Sequence, residues 1–600
     1  MLFLFPILTI IATLSLAFFF YQRFLEPLYG SVPTNNYMDK LIWLPCLLGA
    51  YAPSPSLWSS LGLFGVLLSA LPLSSYWVAA LTARWGDPLI GPLVTHALVL
   101  IPVVYAGIAT VSKIVVRQIY IMNLRMGAPR NNMPYIRLFG LDAQFLNYRF
   151  SASLRASQAK RLCYGIRSFR LADQLQLCGG LCITIFAVSL PLRAPASAKS
   201  SSGFSLPWQT IVPVIVLPLL PLLLPKLEPP TLTRPLIEPF VDATASMRIL
   251  YSERSRTGHI LVGETLPNPD WKPDANESYP SSMRYLRASH SLLGGNWVSP
   301  KVFARDPTTV LFKDEAGTPL GDTIYSAFVV QEAVRLFEIE GRSFDEGEHA
   351  LLIGLGTGNA ATALIKHGVP TTVVEIDPAV YNVSRQFFGL PDVGDDHVFL
   401  EDARTYVRKK KTQLEQGSKD PKFTYVIHDL FSGGGVPAHL FTSQFWEELK
   451  AIMHPEGVVA VNFAGLLGTD SSRAVLLTLK KSFGQCRAFH DSQKVMTDEE
   501  LLAGFMNMVF FCTPSTKPMT FRTLREEDFL NSNLRSNILG NLPKSEIDAK
   551  LIRGDMKGED GEKWVLKDEN NRLALWQHSG ALDHWKVMRQ ILPDVFWETF

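Results

Sequence analysis

Apolar and polar positions divide the chain into two parts with different rhythms. Up to about residue 225 the apolar positions form long runs, at 2–21, 41–51, 57–83, 89–111, 175–192 and 209–224. Runs near 20 residues match the hydrocarbon thickness of a bilayer. The pattern therefore predicts a transmembrane region over 1–225 with five or six helices, depending on whether the short run 41–51 crosses or re-enters. No cluster of charges lies inside these runs, so this part reads as an anchor rather than a transport path.

A proline-rich linker, 226–245, separates this region from shorter elements. β-like runs at 247–252, 259–264, 283–288 and 309–313 predict a small β-rich unit over 246–320. Helical spacing follows at 323–338. Strands at 351–353, 371–374, 398–400, 425–427 and 457–463 then alternate with helices at 359–367, 378–388, 403–411 and 443–453. Such alternation predicts an α/β fold, a parallel sheet covered on both faces, here a Rossmann-like domain over 321–514. Residues 515–600 form a C-terminal extension whose aromatics, Trp576, Trp585, Phe596 and Trp597 among them, predict helical packing onto that domain.

Charge adds an orientation. Between residues 112 and 171 the basic side chains from Lys113 to Arg170 face a single acid, Asp142. By the positive-inside rule that loop is cytosolic. Two further crossings return the C-terminal domain to the cytosolic side. Should the last run, with Pro213, Pro218 and Pro221, not cross, the domain and its sequon at Asn276 lie on the other side. A net charge of +2 excludes nucleic acid as the main partner. Six cysteines without a CxxC pair predict neither a zinc ribbon nor a disulfide framework, and no residue set is assigned to a metal.

The chemistry concentrates in 351–377, LLIGLGTGNAATALIKHGVPTTVVEID. Strand, glycine turn (Gly354, Gly356, Gly358), helix, strand and then Glu375 is the order expected of a site for an adenosine-containing ligand. Glycines let the backbone approach the ligand, and an acid about twenty residues later accepts both ribose hydroxyls. Asp402 and Asp429 also end strands, where ligands of parallel sheets bind. Each acid has a plainer role open to it, capping the following helix. In the functional reading Glu375 holds ribose, Asp402 faces the adenine amine, and Asp429 takes a proton from an attacking amine.

These residues resemble the spermidine and spermine synthase family, the polyamine aminopropyltransferases. IGLGTGNA at 353–360, VVEID at 373–377, the pair Glu401-Asp402 and VIHDLFSGGGVPAHLF at 426–441 carry the resemblance. It implies a β-rich unit before a Rossmann-like domain, decarboxylated S-adenosylmethionine as donor substrate, an amine acceptor and a homodimer. It also implies that Gly354, Gly356, Thr357, Gly358, Glu375, Asp402 and Ala403 bind the donor, that Tyr325 and Ser432 bind the acceptor, and that Asp429 is catalytic.

Two departures change the expectation. Thr357 stands where the family places an aspartate for the aminopropyl ammonium, and Ser432 where it places one for the acceptor amine. Each lost charge-assisted hydrogen bond costs about 1.5–3 kcal/mol. A neutral Thr357 also removes repulsion against the carboxylate of intact S-adenosylmethionine. The sequence thus predicts a membrane-anchored transferase with an S-adenosylmethionine-type donor. Aminopropyl transfer follows from the resemblance, methyl transfer from the departures, and nucleoside sensing without turnover is the non-catalytic alternative.

Overall fold

The computed structural model describes residues 4–51, 57–125, 231–233, 235–266, 282–299, 301–338, 347–431, 433–555 and 561–600. The chain forms two compact units, Met1–Arg234 with Trp597–Phe600, and Pro235–Phe596.

Over residues 4–51 and 57–125 the first unit is largely helical. Helices α1 (Leu4–Tyr29), α2 (Leu57–Ala83) and α3 (Ile101–Arg125) dominate it, the last preceded by a short helix Ile90–Thr95 and a π-turn at His96–Leu100. Three stretches, Phe5–Tyr29, Leu57–Ala83 and Ile90–Ile119, are long and apolar enough to cross a membrane. Their outer faces leave Phe5 74%, Leu98 62% and Leu81 62% exposed. The 41–51 run is a nine-residue helix, Trp43–Tyr51. The runs at 175–192 and 209–224, the sequon and most of the basic segment lie outside the described residues. Where that segment is described it is not a loop: α3 continues through Lys113 and Arg117 to Arg125, because nothing in the sequence breaks the helix there.

The last four residues belong to this unit, a correction to the expectation that the whole tail packs on the catalytic domain. Trp597 and Phe600 are fully buried. Phe600 meets Phe24 and Tyr76 with ring centroids 5.7 and 6.0 Å apart, and Glu598 takes two 2.6 Å hydrogen bonds from Arg84.

The second unit opens with an antiparallel sheet in sequential order, β1 (Phe240–Asp242), β2 (Met247–Arg254), β3 (His259–Thr265), β4 (Met283–Ala288) and β5 (Leu292–Trp297). The predicted helix at 323–338 is shorter, α4 (Ser326–Glu332). It tightens into a 3-10 turn at Ala333–Leu336 and ends in the short strand Phe337–Glu338.

Then come β6 (Ala350–Ile353), α5 (Asn359–Lys366), β7 (Thr371–Val374), α6 (Pro378–Phe388), β8 (Val398–Phe399), α7 (Ala403–Glu415), β9 (Phe423–His428), α8 (Ser443–Ile452), β10 (Met453–Gly465), α9 (Asp470–Phe483), β11 (Gln485–His490) and β12 (Met506–Thr513). The extension adds an edge strand, β13 (Glu546–Ile547), so the sheet does not stop at residue 514. It also supplies α10 (His578–Ile591). The order is β8-β7-β6-β9-β10-β12-β11-β13, parallel up to β10 and antiparallel beyond.

The central strands bury both faces, which is why they read as continuous apolar runs. Leu352, Val373, Ile427 and Ala460 belong to one core, and Leu351, Ile353, Val374, Val426 and Val459 to the other. Cys486 and Cys512 sit directly opposite across β11 and β12, Cα atoms 4.2 Å apart, and form a disulfide. Spacing along the chain does not reveal this pairing, since only the strand register makes them neighbours.

Candidate active site

The site lies along the carboxyl ends of β7, β6, β9 and β10. Gly354, Gly356 and Gly358 all adopt positive φ, at 83°, 54° and 78°. A Cβ on Gly354 would stand 2.1 Å from the Asp429 carbonyl oxygen. The turn is therefore held against the strand end that carries the candidate acid. Thr357 is fully buried within the turn. Its hydroxyl accepts from Asn359 Nδ2 at 2.8 Å, and Asn359 Oδ1 accepts from Asn296 at 3.0 Å, which ties the turn to β5.

Glu375 follows β7 and is 7% exposed. Its oxygens accept the amide hydrogens of Leu355 at 2.9 Å and Asp377 at 2.8 Å. Burial, relieved by those amides, pushes its carboxyl up to about 7. Each carboxylate oxygen has a second lone pair, so the residue retains acceptor capacity for a ribose diol. Its neighbour Asp377 is structural: it caps α6 through Ala379 N at 3.0 Å and takes Thr257 N and Oγ1 at 2.8 and 2.7 Å.

Asp402 does cap a helix. It accepts from Arg404 N and Thr405 N at the start of α7, at 3.0 and 3.2 Å, and its other oxygen meets His439 Nε2 at 3.0 Å. Burial opposes its charge, and the His439 and backbone hydrogen bonds outweigh it, holding the carboxyl below its usual range. Ala403 is buried in the core beneath it.

Asp429 follows β9 and is partly accessible. Gln331 Nε2 of α4 donates to Oδ2 at 2.7 Å, and Asn462 Nδ2 of β10 to Oδ1 at 2.9 Å. Burial raises this carboxyl, and the two amides work against the rise. Tyr325 immediately precedes α4 with its ring 6.2 Å from Phe328. Ser432 lies outside the described residues. Phe431, two residues after Asp429, packs against His584 of α10 at 4.9 Å, and Gln577 Oε1 accepts from Val436 N at 2.6 Å. The extension thus docks on the loop that follows the candidate catalytic acid.

Gln331 and Asn462 are absent from the reading of the sequence. The available signal was an amide directly after or within an apolar run, Gln331 after FVV in α4 and Asn462 inside VVAVNFAG in β10.

Residues 328–490 match the spermine/spermidine synthase domain. Over 604 aligned residues the chain is 31% identical to the N-terminal histidine N-methyltransferase of Emericella nidulans, covering 98% of this chain and 96% of that protein. The chain belongs to the family of that methyltransferase. Likeness to a polyamine aminopropyltransferase of Vibrio vulnificus, 32% identical, is confined to 117 residues, 19% of this chain and 37% of that enzyme. A probable spermidine synthase structure from Corynebacterium glutamicum is 14% identical, covering 51% of this chain and 91% of its own, with a TM-score of 0.32. The match to the spermine/spermidine synthase domain is thus a property of residues 328–490 of this chain. The chain is a transferase whose donor is S-adenosylmethionine or its decarboxylated form.

Proposed function

We propose that this protein is a membrane-anchored methyltransferase that moves the methyl group of S-adenosylmethionine to a ring nitrogen of a histidine at the N-terminus of an acceptor polypeptide. The observation that carries this reading is the likeness to the Emericella nidulans methyltransferase, which runs through both units. The neutral Thr357 supports the intact donor, whose carboxylate an aspartate would repel.

Glu375 and the glycine turn would hold the ribose, and Asp402 with Ala403 the adenine side. When bound, the donor supplies an electrophilic carbon on a sulfonium. The acceptor imidazole forms its new C–N bond as the C–S bond breaks and its electron pair returns to sulfur. Asp429 accepts the hydrogen of the other ring nitrogen, which fixes the tautomer and leaves the attacking nitrogen with its lone pair. The same carboxylate then receives the proton that the methylated ring releases. Gln331 and Asn462 hold both oxygens so that one edge of the carboxylate faces the acceptor.

The test is the full-length protein in detergent micelles with S-adenosylmethionine and a peptide beginning with histidine, read by fragment mass spectrometry. One methyl group on residue 1 is expected. No transfer to the peptide, together with transfer from decarboxylated S-adenosylmethionine to a diamine, overturns the proposal.

A further inference from the structure

Most deeply buried acids of the second unit sit beside an arginine. Glu264 and Asp314 meet Arg284, Asp322 and Glu332 meet Arg535, and Asp528 meets Arg335. Asp429 and Asp491 differ. Among the described residues neither is paired with Lys, Arg or His, and each is held by amides and remains partly accessible. A carboxylate largely removed from water without a cation is costly. A cationic ligand offsets that cost.

Asp491 stands at the same rim of the sheet as Asp429. It is the first residue after β11, whose His490 pairs with Met508 of β12, while Asn507 of β12 pairs with Ala464 of β10. Directly opposed residues share a face, and so do residues two apart on one strand. Asn507 therefore projects on the same face as Asn462. Asn507 Nδ2 donates to Asp491 Oδ2 at 2.9 Å, just as Asn462 donates to Asp429. The two acids lean inward over the two strands between them.

Helix α4 spans the same gap from above. Gln331 touches Asp429. Tyr325, just before the helix, is raised by burial and then by the charge of Asp491. The strands that carry the two acids stand three spacings, about 14 Å, apart, and each carboxylate reaches inward to the asparagine of the next strand, which narrows the gap toward the reach of one amino-acid residue and its hydrogen bonds at either end. Gln331 Oε1 and Asn462 Oδ1 are buried beside Asp429 without a hydrogen-bond partner. Among the described residues no side chain or backbone amide supplies an N–H to these two acceptors.

We infer that Asp491, with Asn507 and Tyr325, is the subsite for the protonated α-amino group of the acceptor, while Asp429 takes its side chain. The inference rests on the methyltransferase reading for the identity of that side chain. An α-amino group has a pKa near 7.7–8.0, so most of it is cationic at neutral pH. Burial pushes Asp491 up to about 6, against the pull of Asn507, which leaves it mostly ionised there. A free N-terminus would then be read by its charge, and an internal or acetylated histidine would leave Asp491 without a cation.

The experiment measures binding of two fluorescent peptides to the full-length protein saturated with S-adenosylhomocysteine. One peptide begins with a free histidine and the other with N-acetylhistidine; D491N and wild type are compared. Wild type is expected to prefer the free peptide about 10- to 100-fold, the range of one charge-assisted hydrogen bond. D491N should lose that preference by weakening the free peptide alone, with S-adenosylhomocysteine affinity unchanged. Equal binding of both peptides by wild type overturns the subsite without reference to any variant. So does a D491N protein that still discriminates. Failure of the parent reading looks different: free-amine peptides would bind in an Asp491-dependent way while wild type methylates none of them.

Discussion

Gln331 Nε2 lies 2.7 Å from Asp429 Oδ2, so the helix that precedes the glycine turn grips the acid that follows β9. This contact joins two segments almost a hundred residues apart, and among the described residues Asp429 has two neutral side-chain donors and no cation. A carboxylate in that setting keeps its charge available for an N–H of the acceptor. An arginine in place of either amide would neutralise it.

Asp429→Asn should therefore lower kcat by about 10²- to 10⁴-fold, the range for a positioned general base. S-adenosylmethionine affinity should change little, because the glycine turn and Glu375 remain. Gln331→Ala probes the same acid differently. Losing a donor to the carboxylate raises its pKa, so the rising limb of the pH–rate profile should move to higher pH. A Gln331→Ala enzyme with an unshifted profile and a lower kcat would mean that Gln331 only packs.

On the proposed reading, in which Glu375 holds the ribose, donor binding is a proton-linked event. Burial holds its carboxyl up near 7, against about 4.3 for a free glutamate. Between those values the folded protein keeps a proton that the unfolded chain has lost, so stability falls as pH rises through the window. The full effect is about 4 kcal/mol. Ribose hydroxyls donate to the ionised form, so donor binding near pH 6.5 should expel protons. Calorimetry in buffers of different ionisation enthalpy should show net proton release with wild type and none with Glu375→Gln. Equal enthalpies across buffers with wild type would remove Glu375 from the ribose.

The parallel half of the sheet was legible because its central strands are buried on both faces and three of its strands, β7, β8 and β9, are followed by an acid. Glu375, Asp402 and Asp429 could be found by counting forward from the glycine turn, and α6 matches its predicted 378–388 span. Asn462, Asn507 and Asp491 could not. Their place at the rim depends on β12 inserting between β10 and β11 in antiparallel register, which no local spacing encodes. The cross-strand cysteines escaped for the same reason. For Asp402 the sequence allows a ligand role and, more plainly, a helix cap, and the cap is present alongside a contact to His439.

The three long apolar helices predict behaviour on extraction. Membranes from cells producing the full chain, washed with high salt and then alkaline carbonate, should retain it, and detergent should release it. Exposed side chains such as Phe5, Leu8 and Leu98 have no favourable place in water. Release by carbonate alone would make these helices a soluble bundle or a peripheral contact and would remove the anchor from the proposed function.

The C-terminal residues give the last prediction. Phe600 is fully buried against Phe24 and Tyr76, and the Tyr76 hydroxyl donates to the Glu598 carbonyl at 3.1 Å. Truncating a buried Phe to Ala removes its contacts and leaves a cavity, at a cost of about 3–5 kcal/mol. Phe600→Ala should therefore lower the thermal midpoint of the detergent-solubilised protein clearly. Glu598→Gln should do less, because the partner Arg84 side chain is 56% exposed and solvent screens the pair. S-adenosylhomocysteine affinity measured below the transition should stay the same in both, since neither residue belongs to the donor site. A Phe600→Ala protein with an unchanged midpoint would show that the terminal aromatic adds nothing to the helical unit.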